Sequence, residues 1–447
     1  MFRRTETHVY ACSADDLWNV VRWASRLPEW HHHFADLQMR SGYDGTYRAR
    51  DEAALQQRLG GRFSLEIEHD YYLTMTEPVG PEGSLRIEWA ITPLTDRSCQ
   101  LRQRVEASSA AGRMLGAAAS MEFEPDAARL ARLVGVLAED PRKFVIAGGS
   151  GFLGQQLAAS LQTRGHDVVI LTRQEQPELP FTQAEWDGRT VGPWAEEFAA
   201  DDVSIVNLAG ELVDVRPTSV NIQRLRASRV DATRALVEAS KRHPVDRWLQ
   251  ASTTAIWSDG GNARIDESTP PPTGAAALPQ MTGVAEAWER AIDGARARRT
   301  TILRTSLVLD QDCPVFDRFV ALARLGVGGA MGDGDQWVSW IHIDDWLAIA
   351  DDALGIGTRE IPDGVIAATS PHPVTNREFM TELRKRLAPG KFGVPMPAPL
   401  VKLGAAVLRT DPQLALTGRR VVPTRLLESG FEFEYPTLDD ALLEILT

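Results

Sequence analysis

The chain's 447 residues are 43% hydrophobic and 24% charged, a composition that leaves room for two or three globular domains and excludes disordered and collagen-like classes. Its 48 Lys and Arg against 61 Asp and Glu give a net charge of −13, so the average surface repels phosphate backbones and anionic membranes, and nucleic acid is not expected as a partner. Cys12, Cys99 and Cys313 lie far apart without a CxxC pair, which excludes a disulfide framework or a cysteine-rich zinc site and fits a reducing cytoplasm.

The stretch Met1 to His8 has no apolar h-region, and no later apolar run approaches the roughly 18 residues of a membrane span, so no membrane segment is expected. Ser13-Ala14-Asp15-Asp16 followed by Leu17, Trp18, Val20 and Val21 predicts a capped helix that Pro28 ends. His31, His32 and His33 stand in a row, and consecutive residues point to different sides, so they predict a solvated loop and no metal site. Phe63, Leu65 and Ile67 alternate with polar residues, as do Leu85, Ile87, Trp89 and Ile91, and less cleanly Cys99, Leu101 and Val105. This period of two predicts antiparallel strands with one wet face. Leu130, Leu133, Val134 and Leu137 then recur at helical spacing, predicting a long amphipathic helix across that sheet with an apolar cavity beneath it. A strand, a short helix, several strands and a terminal helix over residues 1–138 resemble the α+β helix-grip fold of START-like and polyketide-cyclase proteins. The resemblance implies a domain that takes an apolar ligand.

Glu139-Asp140-Pro141-Arg142 is a polar joint, after which strands alternate with helices. Lys143–Ala147, Val168–Thr172, Val203–Leu208, Trp248–Ala251 and Thr301–Leu309 predict strands, with helices at Gly151–Thr163, near Ser219–Lys241 and near Val284–Arg298. The βαβ rhythm predicts a doubly wound parallel α/β sheet over residues 143–370. From about Pro371, helical segments between Pro-rich turns predict a small C-terminal lobe, residues 371–447.

Gly148-Gly149-Ser150-Gly151-Phe152-Leu153-Gly154 sits between the first strand of this region and the following helix, the context in which a glycine-rich turn binds a dinucleotide. Glycines at 148, 151 and 154 permit a tight turn, close approach of a pyrophosphate and close helix packing, and the helix N-terminus offers its positive end. Cofactor contacts are therefore expected from Gly148, Ser150, Gly151, Phe152, Leu153 and Gly154. Asn207-Leu208-Ala209-Gly210 and Ser252-Thr253-Thr254-Ala255 end two later strands, placing Leu208, Ala209, Gly210 and Ser252 beside the ribose and nicotinamide. The strand Val168–Thr172 ends in Arg173, with no acid until Glu175; an Arg there receives the 2′-phosphate of NADP and Thr172 adds a hydroxyl, so NADP(H) is the expected cofactor.

These motifs resemble the extended short-chain dehydrogenase/reductases. Trp288-Glu289, Leu303-Arg304, Gly328-Gly329-Ala330-Met331-Gly332-Asp333-Gly334, Trp340-Ile341-His342-Ile343-Asp344-Asp345 and Gly430-Phe431-Glu432-Phe433 are similar to the atypical epimerase family, the nucleoside-diphosphate-sugar epimerase-like proteins with a small C-terminal domain. The resemblance implies an NAD(P)-binding Rossmann fold and a small-molecule substrate. It also implies a catalytic Tyr with a Lys four residues later, and here the family spacing places Met281 and Ala285. Neither moves a proton. Thr253 aligns with the family's catalytic Ser/Thr and is the candidate group for polarising a substrate carbonyl. His342 beside Asp344 and Asp345 reads either as an acid–base group or as a packed ring that orients the glycine-rich loop before it. Three functions stay open: an NADP(H)-dependent oxidoreductase or epimerase-type enzyme with non-standard acid–base residues, a non-catalytic nucleotide sensor, and an apolar-ligand carrier coupled to a nucleotide domain.

Overall fold

The structure is a computed structural model that describes residues 2–23, 26–35, 39–40, 46–49, 63–69, 71–311, 313–326, 328–390 and 393–446. The first elements are β1 (Phe2–Tyr10), α1 (Ala14–Val21), α2 (Leu27–Trp30), β2 (Met39–Arg40), β3 (Thr46–Ala49), β4 (Phe63–His69), β5 (Tyr72–Val79), β6 (Gly83–Thr95), β7 (Ser98–Ala107), α3 (Ala110–Ala119) and α4 (Phe123–Val134). The strands form one antiparallel sheet in the order β1-β7-β6-β5-β4-β3-β2. Alternation sets its faces. Leu85, Ile87, Trp89 and Ile91 of β6 and Cys99, Leu101 and Val105 of β7 are buried with Trp18, Trp30, Phe123 and Leu130 of the helices in one core. Ser13 caps α1 by accepting the Asp16 N–H at 3.1 Å. Pro28 opens α2 instead of closing α1, consistent with a ring whose missing N–H is tolerated in a first turn.

The terminal helix is shorter than its periodicity suggested. It stops at Gly135 in the left-handed conformation, φ +77°, and Leu137 lies beyond it, exposed. The helix α3 before it went unread because its Ala- and Gly-rich sequence has no long apolar stripe. In the strand that alternation predicts from Phe63, Ile67 is exposed.

The remaining elements are β8 (Lys143–Ala147), α5 (Phe152–Thr163), β9 (Asp167–Thr172), β10 (Thr182–Glu185), β11 (Ser204–Asn207), α6 (Ser219–Arg242), β12 (Val245–Thr253), β13 (Arg264–Ile265), α7 (Val284–Arg290), β14 (Ala297–Thr305), β15 (Leu307–Leu309), α8 (Pro314–Leu325), β16 (Trp337–Val338), β17 (Trp340–His342), α9 (Ile343–Leu354), β18 (Gly364–Ala368), β19 (Val374–Thr375), α10 (Asn376–Leu387), α11 (Ala398–Leu408), α12 (Gln413–Leu416), β20 (Arg420–Val421), α13 (Thr424–Glu428) and α14 (Leu438–Leu446). Seven parallel strands run β10-β9-β8-β11-β12-β14-β18, so the order reverses between β8 and β11, where doubly wound sheets bind ligands. Leu157 and Leu161 of α5 and Trp346 and Ile349 of α9 bury one face; Ala235, Leu236 and Ala239 of α6 bury the other. Beyond the sheet, Phe316 and Val320 of α8, Trp340, Phe379 and Leu383 of α10 and Leu442 of α14 share a further core. No helix among the described residues is long and apolar enough to cross a membrane.

The two sheets meet at α5, which packs against α4 and β1. The seam is polar. Gln156 donates through Nε2 to Glu124 Oε1 at 2.9 Å and to Asp310 Oδ2 at 3.1 Å, and Arg4 lies 3.8 Å from Glu124. Burial first, then the neighbouring carboxylates, push Glu6 well above its ordinary range, and burial does the same to Asp310.

Glu77 is on the inner face of β5, 1% exposed, with neither carboxyl oxygen hydrogen-bonded and His33 Nε2 3.9 Å from Oε2. Burial raises its pKa from 4.5 to about 8. The native state thus keeps a proton that the unfolded chain has lost, and stability falls as pH rises through that window, by about 1.4 kcal/mol for each pH unit. Glu77→Gln should match the parent near pH 4.5 and exceed its thermal midpoint increasingly towards pH 8; a pH-independent difference would contradict the assignment.

Candidate functional site

The glycine-rich turn is built where side chains do not fit. Gly148 has φ +81°, and a Cβ on it would meet the Leu208 carbonyl carbon at 2.8 Å. A Cβ on Gly154 would lie 2.4 Å from Gly148 O and 2.6 Å from Gly149 Cα. The turn and α5 therefore touch backbone to backbone. Gly151 caps α5, whose first backbone bond is Gln155 N–H to Gly151 O at 2.9 Å, leaving the N–H groups of Phe152, Leu153 and Gly154 turned towards a cleft.

That cleft, about 640 Å³, brings together Gly148, Gly151, Phe152, Leu153, Gly154, Leu208, Gly210, Ser252 and Thr253. Ala209 is buried behind it, its N–H held by Asn207 Oδ1 at 3.2 Å. Ser150 is outside the lining, and its carbonyl accepts from Gln155 Nε2 at 2.9 Å. Thr172 is buried and donates its hydroxyl proton to Gln174 O at 2.7 Å, closing the turn after β9. Arg173 is exposed and lines a second hollow of about 720 Å³ with Glu185, Trp186, Asp187 and Trp194, beyond the ends of β9 and β10. The strand β10 that leads there was not named from the sequence.

Ser252 is held from behind. Its hydroxyl donates to Glu289 Oε1 at 2.6 Å, and Arg304 grips both oxygens of Glu289 at 2.8 and 2.9 Å while its guanidinium stacks on Trp257 at 4.8 Å. Trp257 is 2% exposed and belongs to the core. Thr253 Oγ1 accepts the Ala255 N–H at 3.1 Å, so the hydroxyl proton stays available on the cleft side. Met281 and Ala285 are buried in the cleft wall. The positions that spacing assigned to the absent Tyr and Lys face the same space as Ser252 and Thr253, and are apolar.

The polar cleft residues Arg229, Gln280, Thr305, Ser306 and Asp411 were missed; Gln280 donates to Asp411 Oδ2 at 3.0 Å from 131 residues away in sequence. The Asp-Pro pair at 411 and 412 between apolar helices was the available signal. His342 is 1% exposed, stacks on Tyr435 at 3.9 Å, accepts the Asp344 N–H on Nδ1 at 3.2 Å and meets Glu444 at 3.0 Å. The ring thus caps the helix after it, not the glycine-rich loop before it.

The three consecutive histidines are not a solvated loop. His31 is 1% exposed against Trp30, Phe34 and Trp89. His31, His32 and Asp126 place one possible ligand atom each within 4.8 Å of the others. Both His32 nitrogens face acceptors, Asp126 Oδ2 at 2.7 Å and Ala118 O at 2.8 Å; burial works to lower the ring's pKa, but the bonds to Asp126 and Ala118 raise it overall, which favours the protonated ring. Arg129 adds a 2.7 Å bond to Asp126. An ion-paired network therefore accounts for the cluster.

Family models match this chain in three segments: the NAD dependent epimerase/dehydratase family over residues 144–355, a domain of unknown function over 396–445, and polyketide cyclase / dehydrase and lipid transport over 11–132. Epimerase family protein SDR39U1 of Bos taurus is 30% identical over 312 residues, 68% of this chain and 99% of the relative. The chain belongs to the epimerase family. Among solved structures, human SDR39U1 with NADPH superposes on this epimerase-family protein with a TM-score of 0.58 and 28% identity, over 68% of this chain and 99% of that one. A nucleoside-diphosphate sugar epimerase from Corynebacterium glutamicum gives a TM-score of 0.60 over 99% of this chain and 90% of that one; at 21% identity it shows the fold, both sheets included.

Glu289→Ala strands Arg304 in the core and should cost about 3–5 kcal/mol, as losing one partner of a buried pair does. Replacing both residues with Met should recover most of that in urea unfolding; a single-variant loss below ~1 kcal/mol would show the pair to be dispensable.

Proposed function

We propose that this chain is an NADP(H)-binding oxidoreductase of the epimerase family, with residues 143–370 as the dinucleotide-binding domain, 371–447 as the lobe that closes its substrate side and 1–138 as a START-like domain for an apolar ligand. The observation that supports it most is the glycine turn, whose close contacts exclude a Cβ at Gly148, Gly149 and Gly154 and whose helix N-terminus opens into the cleft holding Ser252 and Thr253. The N–H groups of Phe152, Leu153 and Gly154 would receive the pyrophosphate. Leu208, Gly210 and Ser252 would flank the ribose and nicotinamide, and Arg173 would meet the 2′-phosphate, with the adenine in the hollow beside Trp186. The relative solved with NADPH supports this choice of cofactor. When bound, NADPH supplies a hydride. Thr253 orients the acceptor by donating its free hydroxyl proton to a carbonyl oxygen, and Met281 and the aliphatic wall exclude water. Thr172, committed to Gln174 O, adds nothing at the ribose.

A second reading, a nucleotide sensor without turnover, is favoured by Met281 and Ala285 at the proton-transfer positions. Steady NADPH oxidation with any acceptor eliminates it.

Titration with NADPH and NADH, using intrinsic tryptophan fluorescence, tests the cofactor assignment. A charge-assisted bond worth roughly 1.5–3 kcal/mol predicts a preference for NADPH of about 10- to 150-fold that Arg173→Ala abolishes. Equal affinities, or a preference that survives the substitution, would overturn it.

A further inference from the structure

We infer that the substrate half of the cleft takes an uncharged, mainly apolar compound with one carbonyl or hydroxyl oxygen, and not a sugar nucleotide; this rests on the dinucleotide reading above. Apolar residues crowd the cleft mouth although water reaches them: Leu212 is 75% exposed, Val315 48%, Val213 41% and Leu414 40%, and all four line the cleft. Solvent-facing hydrophobic side chains gathered at one opening mark a surface meant to be covered. Deeper in, Met281 and Ala285 continue the apolar wall where a tyrosine and a lysine would have made it polar.

Charge points the same way. A sugar nucleotide carries a diphosphate, which needs cationic donors once water is removed. Among the described lining residues Arg229 is the single cation, and it is spent: its guanidinium donates to Leu225 O at 3.0 Å and Glu211 O at 2.9 Å and lies over Trp288 at 5.0 Å. The lining acid, Asp411, would repel a phosphate. It is occupied by Gln280 Nε2 at 3.0 Å and the Gln413 N–H at 2.9 Å, which fixes the Gln280 amide against the cleft. The other lining hydroxyls are engaged, Ser252 with Glu289, Thr305 with Trp346 Nε1 and Ser306 with Ala368 O, which leaves Thr253 and Gln280 as the polar handles for a single oxygen in a mainly apolar space.

Calorimetry on the full chain at saturating NADPH, with 2-undecanone and UDP-glucose as probes, tests this. Saturable ketone binding and no heat from UDP-glucose up to millimolar concentration are expected. The exposed-site variants Val213→Arg and Leu414→Arg should each weaken the ketone at least tenfold. UDP-glucose binding as tight as the ketone, or ketone binding that survives both substitutions and therefore lies elsewhere, would overturn the inference. Failure of NADPH itself to bind would instead overturn the reading on which it rests.

Discussion

The helix Phe152–Thr163 has no fully exposed residue, and the rest of the molecule is arranged around that fact. Its Gly154 touches the backbone of the glycine turn, Leu157 and Leu161 press on the parallel sheet, and Gln156 bonds across the seam to Glu124 and Asp310. A helix packed against the turn, the sheet and the seam at once is held in translation and rotation. The anion-binding end of the proposed cofactor site therefore has its position set jointly by the Rossmann sheet and by the helix Phe123–Val134 of the N-terminal half.

Electrostatics concentrate where backbone can supply them. A chain with net charge −13 repels anions on average, yet an unpaired helix N-terminus gives local positive potential at the glycine turn, whereas the hollow beside Arg173 also carries Glu185, Asp187 and Glu197. The buried Glu289–Arg304 pair serves geometry: it pins Ser252 at the end of its strand and contributes no net charge to the cleft. In the substrate half no such positive potential is built, which separates the two halves of one cavity by chemistry.

The glycine turn was legible in the sequence because its demand is local: four glycines within seven residues, between a strand and a helix, leave few other structures. The missing Tyr and Lys were legible by spacing, and the structure places Met281 and Ala285 in the cleft wall. The partnership of Gln280 with Asp411 was not, since a contact across 131 residues leaves no local pattern. The histidines at 31–33 were misread for a related reason. Adjacent polar residues read as surface, but the sheet's inner face supplies Gln103, and the terminal helix supplies Asp126, to satisfy rings that are then buried. Periodicity also overran the terminal helix, because Leu137 keeps the apolar spacing after Gly135 has already ended the backbone pattern.

On this proposal one cleft would receive a dinucleotide on a glycine-rich, helix-capped turn and present an apolar wall to whatever lies beyond it. A crystal structure of the full chain with NADPH tests it most directly. The account predicts the pyrophosphate on the N–H groups of Phe152, Leu153 and Gly154, the 2′-phosphate against Arg173, and the nicotinamide beside Thr253 and facing Met281. A dinucleotide bound elsewhere, or a glycine turn left empty at saturating NADPH, would contradict it.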